Sequence, residues 1–142
     1  MSALGLKIMD ETVQVTNIWL KDLMALAGWD DRQRAYRLLR ATLHVLRDRL
    51  PVNEAVHLGS ELPMLLRGLY YEGWRPAGKP LKLRSRAEFI AHIEAAMKPD
   101  QLADPEAAVG AVLALLLARI SGGEMADVRH AMPSEIRELF AA

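Results

Sequence analysis

The chain contains an internal repeat with a constant offset of 70 residues. Residues 19–72 align with residues 89–142 without a gap, and ten paired positions are identical, whereas a chain of this composition would give about four by chance. The shared framework is Arg49-Leu50-x-x-x-Glu54 then Leu62-Pro63-x-x-x-Arg67, and its copy is Arg119-Ile120-x-x-x-Glu124 then Met132-Pro133-x-x-x-Arg137. A repeat of this length predicts two similar units that pack together, but it does not predict chemistry.

Apolar residues recur at helical spacing along the chain, and no useful stretch alternates between apolar and polar residues. We therefore predict an all-α fold, a duplicated helical bundle of two pseudo-repeats with about four helices each. The first pseudo-repeat covers residues 11–72, a connector covers 73–86, and the second covers 87–142, all within one helical domain. Segment 107–118 is apolar almost all round, which predicts that this helix is central and is packed by both units or by a partner chain.

Cap residues predict the helix ends. Gly28 should end a first helix that begins near Glu11, and Asp30 or Asp31 should cap the second. The other predicted starts are prolines at the first helical position (Pro51, Pro63, Pro133), a Ser85 cap, an Asp104-Pro105 start, and a capping box from Ser121 to Glu124.

Composition excludes several classes of site. The chain has no cysteine and a formal net charge of zero, so thiolate chemistry is absent and strong nonspecific attraction to polyanions is not indicated. The start lacks a signal-peptide pattern and no apolar run is long enough to span a bilayer, so we expect a cytoplasmic protein. His44, His57, His92 and His130 lack metal-ligand spacing, so we expect no metal site. We also expect no cofactor and no enzymatic activity.

Six residues repeat at the corners between helices: Arg49, Glu54 and Arg67, then Arg119, Glu124 and Arg137. They could form two anion-binding sites related by pseudo-symmetry, or two structural ion pairs that lock the corners. We favour the structural interpretation, because arginine commonly ties carboxylates and carbonyls at such corners. Glu54→Ala and Glu124→Ala should then each lower stability.

The connector is basic and contains an aromatic residue. Its candidate anion- or partner-binding residues are Trp74, Arg75, Lys79, Lys82, Arg84 and Arg86, and one extended stretch is expected at residues 81–83. Such a segment could follow a phosphate backbone or an anionic membrane surface. The alternative, which we favour, is a solvated hinge with Trp74 folded back as an anchor.

Several runs resemble the bacterial family of unknown function DUF2267. They are Leu43-x-x-Leu46-Arg47-Asp48-Arg49-Leu50-Pro51-x-x-Glu54-Ala55, Glu61-Leu62-Pro63-x-x-Leu66-Arg67, Gly73-Trp74-x-Pro76 and Gly123-Glu124-x-x-x-Val128-x-x-x-Met132-Pro133. The resemblance covers nearly the whole chain from Val15 onward. It implies a small, duplicated, all-helical bacterial protein of the kind associated with stress or regulation, and it implies no catalytic residues.

Together these features predict a non-catalytic helical interaction or regulatory module, with a protein partner or a homo-oligomer as its assembly. The alternative is binding of nucleic acid or an anionic surface through the connector. An enzyme with a site between the units would require titratable groups converging in a cleft.

Overall fold

The structure is a computed structural model that describes residues 5–140, and within these residues the chain is all-α and contains no strand. The helices are α1 (Lys7–Ala27), α2 (Arg32–Arg49), α3 (Val52–Ser60), α4 (Met64–Tyr71), α5 (Arg86–Met97), α6 (Pro105–Arg119), α7 (Gly122–His130) and α8 (Ser134–Arg137), followed by a 3-10 turn (Glu138–Phe140). The predicted all-α fold is confirmed. No helix in the described part of the chain is both long and apolar enough to cross a bilayer.

The helix boundaries keep the offset of the sequence repeat. The last residues of α1 and α5 are 27 and 97, those of α2 and α6 are 49 and 119, and α3 and α7 span 52–60 and 122–130. The duplication itself stays a prediction from the sequence. These boundaries are the ones that such a repeat would produce.

Capping interactions explain several helix ends. α1 ends at Gly28, which has the left-handed φ of 71° that glycine adopts without strain. Asp31 caps α2 by accepting a hydrogen bond from the Arg34 amide. Ser85 and Glu88 form a complete capping box at α5, so these predicted ends are confirmed.

Other predicted starts differ by one residue or one turn. α1 begins at Lys7 rather than near Glu11, because residues 7–10 contain no helix breaker. Pro51, Pro63 and Pro133 are N-caps rather than first helical residues. The missing N–H of proline costs nothing at either position, so the sequence could not distinguish them.

Helices α2 and α6 form the centre of the core. α6 packs against α1, α2, α5 and α7, as predicted for a central helix. α2 packs against α1, α4, α5 and α6, although it carries many arginines. Three of these arginines lie at the edges of its buried face, where Arg34 and Arg37 both bind Asp100 and Arg40 binds Glu72.

The connector packs against the end of α2 rather than extending freely. The Leu81 amide donates to the Asp48 carbonyl at 2.8 Å, and Arg49 Nε donates to the Leu83 carbonyl at 2.6 Å. Leu83 is buried in the core. The connector is therefore an anchored loop, and no strand forms at residues 81–83.

Candidate functional site: a carboxyl–histidine cluster between α3 and α7

The two repeated glutamates face each other where α3 packs against α7. Glu54 and Glu124 are each the third residue of a nine-residue helix, and the contact between these helices brings their carboxyl groups together. Oxygen atoms of the two carboxyl groups lie within 4.8 Å of each other. Among the described residues neither glutamate forms an ion pair with an arginine, so the predicted corner ion pairs are wrong.

The capping box predicted at Ser121 is only half formed for the same reason. Ser121 Oγ accepts a hydrogen bond from the Glu124 amide at 3.3 Å. The Glu124 side chain does not return to the Ser121 amide, which donates instead to Glu61 Oε1 at 3.2 Å. The carboxyl group of Glu124 is thus directed to Glu54, and Glu61, which directly follows α3, completes the cap of α7.

Burial and mutual repulsion dominate the electrostatics of this pair. The Oε2 atoms of Glu54 and Glu124 are both buried without a hydrogen-bond partner in the described part of the chain. Desolvation by burial, followed by the contact with Glu54, raises the pKa of Glu124 to about 8. A helix N-terminus favours a carboxylate by only about 0.3–1 kcal/mol, so the helix dipole does not offset these effects. Both effects favour the protonated form of Glu124.

His57 adds an imidazole nitrogen one helical turn beyond Glu54. Its Nδ1 lies 4.0 Å from Glu54 Oε2, and one donor atom each from Glu54, His57 and Glu124 lie within 4.8 Å of one another. The imidazole is 67% exposed, whereas the Glu54 side chain is only 18% exposed. The cluster therefore has a buried carboxylate floor and a histidine at its solvent side.

Two further acids border the cluster. Glu61 and Asp127 both help to raise the pKa of Glu124, and neither forms an ion pair within residues 5–140. The local charge is thus negative and lacks a basic partner. Such an arrangement can hold protons or a cation, and it disfavours anions.

The repeated arginines lock the corners through carbonyl groups. Arg67 donates to the carbonyls of Gly59 at 3.0 Å and Leu62 at 2.8 Å, and Arg137 donates to the Met132 carbonyl at 3.0 Å. These contacts tie α4 and α8 to carbonyls in or just beyond the last turns of α3 and α7. Arg67 and Arg137 thus stabilise these corners by binding backbone carbonyls rather than glutamate.

The other two repeated arginines do not act at equivalent places. Arg49 binds the connector at Leu83, and Arg119 pairs with Asp22 of α1. The six corner residues therefore do not form two symmetric sites, and the structure brings only the glutamates together.

The predicted connector residues are dispersed. Trp74 folds back, as the anchor interpretation expected, with its ring 5.5 Å from that of Tyr71. Arg86 opens α5 and binds Glu106 at 2.8 Å and Glu138 at 2.6 Å. Four basic connector residues form no ion pair in the described part of the chain: Arg75, Lys79, Lys82 and Arg84.

Sequence reasoning missed two polar residues beside α4. Arg47 is buried and donates to the carbonyls of Tyr70 and Glu72 and to Asp48. The His44 ring lies 2.7 Å from the Leu69 carbonyl, and burial lowers its pKa. The two residues are three apart near the end of α2, and this spacing on one face of the helix could have indicated them.

Comparison with known proteins assigns a family and no activity. No curated protein matches the chain. The family described as "Uncharacterized conserved protein (DUF2267)" matches residues 16–139, which include both carboxyl groups, His57 and the connector. On this match over nearly its whole length, the chain belongs to the DUF2267 family.

Proposed function

We propose that the chain is a non-catalytic interaction or regulatory module of the bacterial cytoplasm, and that its partner is a second copy of itself. The observation that supports this proposal is an apolar surface on α1 and α4, which the chain's own core leaves uncovered. A contiguous exposed apolar surface on a small domain marks a contact site more often than a reaction site.

The apolar surface begins on the first half of α1. Met9 and Val13 precede Thr16 by seven and three residues, so they share its side of the helix. Thr16 lines a groove of about 290 Å³ between α1, α2 and α4, together with Tyr36 and Leu65. Val13, Tyr36 and Leu65 are each at least 40% exposed, so the groove and its border present mainly hydrocarbon to solvent.

The charges at the border of this surface favour a second copy. One end carries the Lys7–Glu11 pair and the other carries the Arg40–Glu72 pair. In a twofold dimer each surface meets itself, so a border with both signs can pair with its own copy. A border of one sign would have called for an oppositely charged partner. The formal net charge of zero also removes repulsion between copies.

The second candidate, binding of nucleic acid or an anionic surface by the connector, has narrower support. Arg75, Lys82 and Arg84 are exposed. Burial, and then the proximity of Arg84, lowers the pKa of Arg49, so two positive charges lie close together here. Trp74, however, packs on Tyr71 and Arg86 is bound by two acids. Fewer residues are thus free to contact phosphates than the sequence suggested.

The mass of the protein in solution tests both candidates. We would measure it by light scattering at moderate and low salt, with and without a short DNA duplex. Leu65→Glu should convert a dimer to a monomer because it places a charge in the contact. Leu26→Glu is the matched control: Leu26 is 50% exposed but lies about 20 Å along α1 from Val13.

The self-association proposal is supported if the wild-type protein and Leu26→Glu are dimers while Leu65→Glu is a monomer. A wild-type monomer, or a dimer that Leu65→Glu leaves intact, rejects it. A complex with DNA that dissociates as salt rises, and that charge reversal at Lys82 and Arg84 abolishes, would favour the connector instead.

A further inference from the structure

We propose that Glu54, His57 and Glu124 bind a divalent transition-metal cation, of the zinc and manganese class, between α3 and α7. This site goes beyond the proposed interaction function and does not depend on it. No part of the apolar surface on α1 and α4 contributes a ligand.

The donor set has the composition of a metal site rather than of an acidic patch. Two carboxylates and one imidazole suit zinc or manganese, whereas magnesium and calcium prefer oxygen ligands alone. The ligands come from two helices, α3 and α7, so binding would join them. His57 follows Glu54 by three residues on α3, a spacing that places both side chains on the same side of a helix.

The geometry is close to that of a bound site. Tetrahedral ligands at 2.0–2.2 Å from a metal lie about 3.3–3.6 Å from one another, and the three donor atoms here lie within 4.8 Å of one another. The donors must therefore approach one another by at most about 1.5 Å to bind one ion. Rotation of His57 can supply part of this movement, because its side chain is 67% exposed.

No basic side chain in the described part of the chain neutralises these carboxyl groups. The Oε2 atoms of Glu54 and Glu124 are buried and have no hydrogen-bond partner among the described residues. Glu61 and Asp127 add negative charge at the border, and none of the four acids binds a lysine or an arginine in the described part of the chain. A buried polar atom without a partner is costly, and a metal ion would satisfy both oxygens at once.

The two helices contribute unequally to the site. The residue that corresponds to His57 by the offset of 70 is Asp127, which is not among the converging donors. The site would thus hold one ion with three protein ligands, and water would complete its coordination. Replacing His57 should remove the preference for zinc while leaving the carboxyl pair in place.

Calorimetric titration of the chelator-treated protein with Zn²⁺ tests the proposal. We expect saturable binding of one ion per chain and a Zn²⁺-dependent rise in the melting temperature. His57→Asn and Glu54→Gln should each weaken binding at least about tenfold, since even loss of a group that only supports a ligand costs 10- to 100-fold. His130→Asn is the matched control, because His130 is also exposed on one of these two helices.

Three results would overturn the proposal. One is the absence of saturable Zn²⁺ binding with a Kd below about 1 mM. Another is an equal loss in His130→Asn and His57→Asn, which would indicate surface histidines only. The third is unchanged binding in Glu54→Gln. Because His57 is exposed, His57→Asn should fold normally, and circular dichroism checks that it does.

Discussion

Replacing Glu124 by glutamine should stabilise the metal-free protein at neutral and alkaline pH. Glutamine has the shape of glutamate but no charge, so it removes the repulsion from Glu54. Its amide group can also donate to the carboxyl oxygen of Glu54 that now lacks a partner. This expectation is opposite to that of the corner ion pair, in which loss of Glu124 would remove a favourable contact.

The magnitude follows from the pKa of Glu124, which is raised from 4.5 to about 8. Each pH unit corresponds to about 1.4 kcal/mol, so the ceiling is about 5 kcal/mol. Water reaches the partly exposed pair and screens it, so we expect a net effect of about 1–3 kcal/mol.

The sign with pH follows from the direction of the pKa change. A carboxyl whose pKa is raised in the folded state stays protonated there while the unfolded chain releases its proton. The contribution of Glu124 to stability is therefore complete below pH 4.5, decreases as pH rises, and reaches its lowest value above pH 8. The variant and the wild-type protein should be equally stable near pH 4.5 and differ most above pH 8.

Urea unfolding followed by circular dichroism at pH 4.5, 6 and 8.5, with a chelator present, measures this difference. Glu94→Gln is the control, because Glu94 is exposed on α5 and forms no ion pair within residues 5–140. A Glu124→Gln variant that is less stable than wild type at pH 8.5 would refute the reasoning. A stabilisation that is the same at all three pH values would also refute it, since it could not come from titration.

Three further predictions concern α2 and α4. Arg47→Met should cost about 3–5 kcal/mol, because it leaves Asp48 and two carbonyls beside α4 without their donor; a loss below about 1 kcal/mol in urea unfolding would contradict this. Tyr70→Phe should lower the free energy of unfolding by about 1–2 kcal/mol, because it removes a buried 2.6 Å hydrogen bond to the Ala55 carbonyl. The control Tyr71→Phe should change stability little, because its hydrogen bond is exposed and 3.3 Å long. Equal losses in the two variants would show that burial is not the cause. Because burial lowers the pKa of His44 below 6.5, wild-type stability should fall as pH drops through 6.5, and His44→Gln should lack this component, which unfolding at pH 5 and 7.5 would detect.

Local sequence signals predict several helix ends correctly, because each signal acts through a contact between residues close in sequence. Gly28, Asp31 and Ser85 end or begin helices through contacts within a few residues, so their neighbours in the sequence were sufficient. The apolar character of α6 indicated its central place. The sequence does not indicate that α2 is as central as α6. Arg47 lies on the inner face of α2, where it binds carbonyls in and just after α4 that are distant in sequence.

The candidate site depended on a contact that no local pattern contains. The sequence shows Glu54 and Glu124 as a repeated pair, but it predicts a structural ion pair at each corner rather than a contact between the two glutamates. The structure assigns Arg67 and Arg137 to carbonyl groups, which the sequence does not distinguish from carboxylates as acceptors. The spacing between histidines does not reveal His57, because its relevant neighbours are Glu54, three residues earlier, and Glu124, which is 70 residues beyond Glu54.

If the offset of 70 residues reflects the predicted duplication, the meeting of these glutamates follows from symmetry. If two similar units associate about a pseudo-twofold axis, a residue near that axis meets its own counterpart. A carboxylate at such a position must therefore face a carboxylate unless one copy changes. In this sequence the paired neighbours differ, with His57 aligned to Asp127 and Glu61 aligned to Ala131, while the paired glutamates are identical. An apolar pair would stabilise this contact at least as well, so the binding of a proton or a cation explains a pair of carboxyl groups here better than stability does.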